Sequence, residues 1–139
     1  PPEPTLERQG ETVTEPRDMA NVRYMVNDVE EAVAFYSKIL DFEVMMSFPA
    51  FADMARGKLR LLLSGPASTA RRPMPDGAAP RPGGWNRIHF IVDDIEAEVA
   101  RLRAQGVVFR NEIIEGPGGR QTLLRDPSGN LVELFQSAR

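Results

Sequence analysis

The amino-acid sequence predicts an α+β fold built from two βαβββ modules, and two observations carry that expectation. The order strand, helix, further strands occurs twice. The two copies also align: placing residues 21–34 on 87–100, an offset of 66 positions, matches Val26 with Val92, Asp28 with Asp94, Glu30 with Glu96, Val33 with Val99 and Ala34 with Ala100. Hydrophobic exchanges such as Val22 for Ile88 and Tyr24 for Phe90 extend the match, and Gly57-Lys58-Leu59 parallels Gly129-Asn130-Leu131 further on. At 139 residues the chain has the length of one domain.

Taken in order, residues 1–18 mix four prolines with many charges and show almost no apolar period, the composition of a disordered tail outside the fold. The folded domain is expected over 19–139, with modules at about 19–64 and 84–136. NVRYMV from Asn21 reads as a short strand. In NDVEEAVAFYSKIL, Val29, Val33, Tyr36 and Leu40 fall at helical spacing behind an Asp28 cap. FEVMMSF and KLRLLL, the latter just after a Gly57 turn, supply further strands. The second module repeats the order with RIHFIV, a helix from Asp94 to Gln105 stopped by Gly106, then VVF, RQTLLR, the turn DPSGN and the strand LVELF. Between the modules, residues 64–86 are too rich in proline and glycine for a helix or a central strand. They form a long loop, for which the roles of lid and linker are both open. Trp85, the only tryptophan, ends that loop, either anchoring it on the second module or offering a ring to a ligand.

Composition excludes much chemistry. Without cysteine there is no disulfide frame, thiolate zinc site, iron–sulfur cluster or cysteine nucleophile. The single histidine, His89, excludes sites that need two imidazoles from one chain. A formal net charge of −3 offers no general field for nucleic acid or anionic lipid, so neither is expected as a partner. No run approaches the ~20 apolar residues of a membrane span and no secretory h-region precedes the fold, which reads as a cytoplasmic protein.

V-x-D at both helix entrances, FY within the first helix and a final DPSGNLVELFQ together resemble the vicinal oxygen chelate superfamily, which includes glyoxalases, bleomycin-resistance proteins and extradiol dioxygenases. The resemblance covers about residues 20–136. It implies that each module curls its sheet into half of a cupped, partly open mixed sheet, that ligands sit in the cleft lined by the concave faces, and that the protein is a homodimer.

Strand alternation then sorts the side chains. Val22, Tyr24 and Val26 suit the helix side of the first strand, which leaves Asn21, Arg23 and Met25 facing the cleft. In the second module Ile88, Phe90 and Val92 pack on the helix, so Arg87, His89 and Ile91 face inward, joined by Glu133 from the last strand. Leu59, Leu61 and Leu63 are expected as the counterparts of that last strand in the first module.

Metal-dependent relatives hold their ion at four cleft positions, which correspond here to Asn21, Leu61, Arg87 and Glu133. Only Glu133 is an ordinary ligand, and neither a leucine nor a guanidinium donates to a cation, so no metal and no other cofactor is expected. Arg87 is instead expected to pair with Glu133, leaving Arg23 and His89 to donate to an oxygen-rich or anionic group. Mutual neutralisation of that pair with no ligand is the bland alternative.

The expected ligand-binding set is therefore Asn21, Arg23, Leu61, Arg87, His89 and Glu133. The leading expectation is a metal-independent member of the superfamily that binds a small organic molecule between its modules. The alternative is a superfamily lyase, isomerase or dioxygenase acting on a small metabolite through a non-standard or metal-free site. A dimeric interaction module without a small ligand is third. Met45, Met46, Phe48, Phe51 and Met54 form a soft apolar stretch for which a pocket wall, a core segment and a dimer contact are all open.

Overall fold

A computed structural model of the chain describes residues 7–8, 11–12 and 15–138. The tail expected over 1–18 lies partly outside these residues. Within it, β1 (Glu7–Arg8) pairs antiparallel with β2 (Glu11–Thr12), and Pro16–Asp18 form one 3-10 turn. That turn is tied to the fold by Asn21, whose side-chain amide donates to the carbonyls of Pro16 at 2.8 Å and Met19 at 3.0 Å.

The first module runs β3 (Ala20–Met25), α1 (Val29–Lys38), β4 (Glu43–Phe48), β5 (Phe51–Arg56) and β6 (Leu59–Ser64), in the sheet order β3-β6-β5-β4. The second runs β7 (Arg87–Ile91), α2 (Ile95–Ala104), β8 (Val108–Phe109), β9 (Ile114–Gly116), β10 (Gly119–Arg125) and β11 (Leu131–Ser137), in the order β7-β11-β10-β8. Strand β9 also pairs with β10, so β8 and β9 share the edge that a single strand, β4, fills in the first module. In both modules the first and last strands are parallel neighbours, β3 with β6 and β7 with β11, and the remaining pairs are antiparallel. The result is two open mixed sheets and two α-helices.

The V-x-D motifs do the same work twice. Asp28 and Asp94 sit at the N-caps, where their carboxylates accept from the backbone N–H of Glu31 (3.0 Å) and Ala97 (3.1 Å). Each cap satisfies a donor that the first helical turn leaves unpaired, worth about 1 kcal/mol.

Parallel register settles which faces are apolar. Val22 lies opposite Leu61 and Tyr24 opposite Leu63, while Ile88 lies opposite Val132 and Phe90 opposite Leu134. These helix-side residues join Tyr36, Phe42, Ile95, Val99 and Leu102 in one hydrophobic cluster that spans both modules. Phe42 meets Phe90 across the junction edge-on, with ring centroids 6.0 Å apart.

A polar seam crosses this shared core. The Tyr24 hydroxyl donates to the Leu131 carbonyl at 2.6 Å and accepts from the Ile88 N–H at 2.9 Å, so a side chain of β3 links the starts of β7 and β11. Buried Asp126 accepts from the Tyr36 hydroxyl (2.8 Å), from the backbone N–H groups of Ser128 (2.9 Å) and Asn130 (2.8 Å), and from the Asn130 amide (3.0 Å). That amide also reaches the Met25 carbonyl at 2.7 Å, and Ser128 Oγ accepts from the Asn27 N–H at 2.8 Å. The DPSGN turn is thus a plug set into the first module, with Gly129 taking the φ of +89° that the turn requires. Gly119 is demanded for another reason: a Cβ there would lie 2.1 Å from the Gln136 carbonyl oxygen.

Residues 65–86 contain no strand and one 3-10 turn, Thr69–Arg71. Arg71 fastens the loop, donating to the carbonyls of Val26 at 2.7 Å and Pro80 at 3.0 Å. Gly83 N–H adds a bond to Asn130 Oδ1 at 2.9 Å. Among the described residues no helix is long and apolar enough to cross a membrane.

Burial pushes the Tyr24 hydroxyl up to about 12 from its ordinary value near 10. Burial, then the charge and hydrogen bond of Asp126, hold Tyr36 well above that value too. The folded chain therefore keeps protons that an unfolded phenol releases near pH 10. Stability should be complete below about pH 10 and fall as pH climbs from there through about 12, and Tyr24→Phe should flatten that decline. The same substitution should cost about 1–3 kcal/mol at neutral pH, because it removes the hydroxyl and leaves the buried Leu131 carbonyl and Ile88 N–H without that partner. Urea unfolding between pH 7 and 12 checks both; parallel alkaline slopes for the two proteins would contradict the seam.

Candidate functional site

With the helix sides packed together, the opposite face of each sheet looks outward. On the second sheet, Arg87 and His89 of β7 stand beside Leu131 and Glu133 of β11. Arg87 Nε donates to Glu133 Oε1 at 3.0 Å, and His89 Nε2 lies 3.4 Å from Glu133 Oε2. The carboxylate side chain is only 8% exposed, against 30% for Arg87 and 43% for His89. One nearly buried acid is therefore hydrogen-bonded by Arg87 at one oxygen and faced by the His89 ring at the other, with both neighbours reaching solvent. The His89 ring also tilts against Phe135, with centroids 5.2 Å apart, and a second Arg87 nitrogen donates to the Trp85 carbonyl at 3.3 Å.

On the first sheet, Asn21 lies on the face away from the helix, opposite Arg60 of β6. Arg60 donates to Asn21 Oδ1 at 3.0 Å and grips Asp53 of β5 through Nε (3.0 and 3.2 Å) and Nη2 (2.8 Å). Arg23 also faces outward and donates to Ser64 Oγ at 2.8 Å. Each outer face thus carries a guanidinium–carboxylate pair, and such charge-assisted forks fix a guanidinium in place.

Leu61 is not part of this surface. It lies opposite Val22 on the helix side and is fully buried, as is Leu63, while Leu59 faces the same way. The outward residues of β6 are Arg60, Leu62 and Ser64. The outward residue of β6 that lies opposite Arg23, as Glu133 lies opposite His89, is Leu62, and Leu61 belongs to the core. Leu59, Leu61 and Leu63 share one apolar face of β6 while Arg60 and Ser64 fall on the other, and pairing with Val22 and Tyr24 of β3 turns the leucine face to the helix side.

Arg23, Arg87 and His89 come together on the wall of a cavity of about 820 Å³ between the edge strands β3 and β7. Tyr24, Arg56 and Phe90 also border it, with the Arg56 guanidinium 4.1 Å from the centre of the Phe90 ring. Asn21 and its Arg60–Asp53 partners sit on the first sheet, and among the described residues no hydrogen bond or ion pair joins them to the Arg87–Glu133–His89 group. The donor set does not suit a divalent cation. Arg87 and Arg60 bring fixed positive charge, Leu61 points into the core, and Glu133 already accepts from Arg87. Among the described residues there is also no group of three His, Cys, Asp or Glu side chains able to hold a metal.

The architecture has many counterparts among solved structures. A glyoxalase/bleomycin resistance protein/dioxygenase superfamily member from Sphaerobacter thermophilus is 28% identical, with a TM-score of 0.69 over 86% of this chain and 96% of that one. The antibiotic-binding protein TnmS3 from a Streptomyces species is 26% identical, with a TM-score of 0.66 over 86% and 95%. A lactoylglutathione lyase from Agrobacterium tumefaciens, 24% identical with a TM-score of 0.65 over 85% and 92%, shares the fold. No curated protein matches the chain. The family model of the Glyoxalase/Bleomycin resistance protein/Dioxygenase superfamily matches residues 8–134, and the chain belongs to that superfamily.

Proposed function

We propose that the protein is a metal-independent binder of a small organic molecule, held at the cleft between the two modules with Arg87 as the central contact. The observation that carries this reading is the group Arg87–Glu133–His89, where relatives would be expected to place a cation. A guanidinium clamped by a nearly buried carboxylate is a rigid donor that needs no ion to organise it. The adjoining cavity of about 820 Å³ has room for a drug-sized molecule and mixes apolar walls with a few polar groups, the usual makeup of a ligand site. The likeness to the antibiotic-binding protein TnmS3 supports the same reading.

A second copy of the chain belongs to this proposal. Two outward faces that share only the cavity between β3 and β7, and the edge strand β4 with Val44, Met45, Met46 and Phe48 exposed, favour burial against another copy. Sedimentation equilibrium should return twice the chain mass; a monomer at micromolar concentration would remove this part.

Native mass spectrometry of the purified protein against a panel of natural products and metabolites should find a compound bound one per chain and released unaltered. Treatment with a chelator should leave its affinity unchanged, and Arg87→Ala should weaken it at least about tenfold. Turnover of the compound, loss of binding on chelation, or equal binding by the variant would each defeat the reading. The ion pair itself is open to a stability test. Arg87→Ala should cost about 1–3 kcal/mol by stranding Glu133, and Arg87→Ala combined with Glu133→Leu should regain most of it, since an apolar pair of similar bulk is tolerated where a lone buried acid is not. Equal stability of the single variant and the parent in urea would show that the pair is not coupled.

A further inference from the structure

The outer face of the second sheet holds another cavity, of about 590 Å³, on the other flank of Arg87. Its wall carries three arginines, Arg87, Arg110 and Arg125, together with Trp85, and Ile114 and Leu123 supply apolar surface. Register explains the gathering. Arg87 and Arg125 are both opposite Leu131, one on each side of β11, so they share the outward face two strands apart. The long loop and the β8–β9 connection then deliver Trp85 and Arg110 from opposite ends of the module sequence.

The charges do not balance locally. Arg87 is answered by Glu133, but among the described residues neither Arg110 nor Arg125 has a carboxylate within ion-pair distance. The nearby acids are turned elsewhere: Asp126 is buried in the seam with Tyr36, and Glu112 pairs with Arg103 at 3.4 Å. A chain of net charge −3 thus gathers uncompensated cations in one concave place. The Arg110 guanidinium lies 4.3 Å from the centre of the Trp85 ring, which holds the indole upright while 62% of the residue stays exposed. Cations left without acids beside an open aromatic face suit a flat ring bearing an oxyanion, because the guanidiniums fork onto carboxylate, sulfate or phosphate oxygens and the ring stacks.

We infer that the ligand class of this protein is a planar aromatic oxyanion, its anionic group set against Arg110 and Arg125 and its ring against Trp85. The inference rests on the binding reading above: Arg87 borders both cavities, so a molecule held against it in the cleft reaches into this one, which selects its anionic group and its ring.

Trp85 is the only tryptophan and lines this cavity, so its fluorescence reports on binding here. The probes are 2-naphthoate, 2-naphthyl sulfate and 2-naphthyl phosphate as anions, 2-naphthamide as the neutral analogue, 2-naphthylmethylamine as the cation, and inorganic phosphate as an anion without a ring. At least one aromatic anion should perturb Trp85 and bind about tenfold or more tightly than the amide, and the preferred head group separates carboxylate from sulfate and phosphate sources. Its affinity should fall with added salt. Arg125→Gln should weaken the anion about tenfold while leaving the amide within about twofold; Arg110→Gln, followed by calorimetry because it also alters the indole, should do likewise. Thermal melting of both variants confirms that they fold.

The inference is overturned if the amide or the amine binds as tightly as every anion, if inorganic phosphate binds as well as the aromatic anions, or if neither arginine variant changes anion affinity. If no naphthalene binds while a neutral or cationic compound from the wider panel does, the ligand class is wrong and the binding reading stands. If nothing in either panel binds, both fall.

Discussion

The seam between the modules is the constraint from which the rest of the structure follows. Each βαβββ unit has one apolar sheet face covered by only one ten-residue helix, and the two faces find the remaining cover in each other. Apolar packing does not specify orientation, and here hydrogen bonds do. The Tyr24 phenol fits between the first turns of β7 and β11, and Asp126 gathers Tyr36, Ser128 and Asn130 into one buried node. A buried polar network of this kind tolerates one arrangement, because any other leaves desolvated groups unpaired. Once the helix sides are committed to each other, the polar faces have nowhere to look but outward, and Arg87, His89 and Glu133 stand at the rim of that commitment.

Much of this was legible in the sequence because it is local or repeated. The repeat at an offset of 66 announces the two modules, and the aspartates of V-x-D cap helices for reasons contained within four residues. The inward and outward assignment of β3 and β7 follows from plain alternation, Val-Arg-Tyr and Ile-His-Phe. In β6 alternation separates Leu59, Leu61 and Leu63 from Arg60 and Ser64, and which of these two faces meets the core is decided by register with a strand about forty positions earlier. β5 carries little strand signal because Asp53 sits in its middle, and that acid is sheltered only through Arg60, a partner brought alongside by the next strand. Arg110 and Arg125 were invisible for a similar reason: as isolated charges on short segments they resemble solvated surface, and their proximity to Trp85 exists only once β8, β9 and β10 share an edge.

The familiar motif also acquires a different meaning. FY in the first helix and DPSGN before the last strand carry the family likeness, yet neither contributes a side chain to the outward faces. They are two halves of one contact, the Tyr36 hydroxyl on Asp126. A signature of this kind identifies how the modules are joined and says little about what they hold, which is why the fold can keep its likeness while the chemistry of the cleft departs from it. Arg87, paired with Glu133 at 3.0 Å, lies on a face that the signature does not reach.

The spacing of the seam along the chain has a consequence for how the molecule is made. Tyr24 waits for a partner 107 positions later, Tyr36 for one 90 later and Met25 for one 105 later. During synthesis the first module can zip its own sheet as soon as β6 has emerged, but its two phenols and its bare apolar side must persist until the second module arrives. Contacts this distant slow the search for the native state and lengthen the interval in which a half-made chain can pair wrongly with its neighbours. The price of a rigid junction is therefore a vulnerable nascent intermediate.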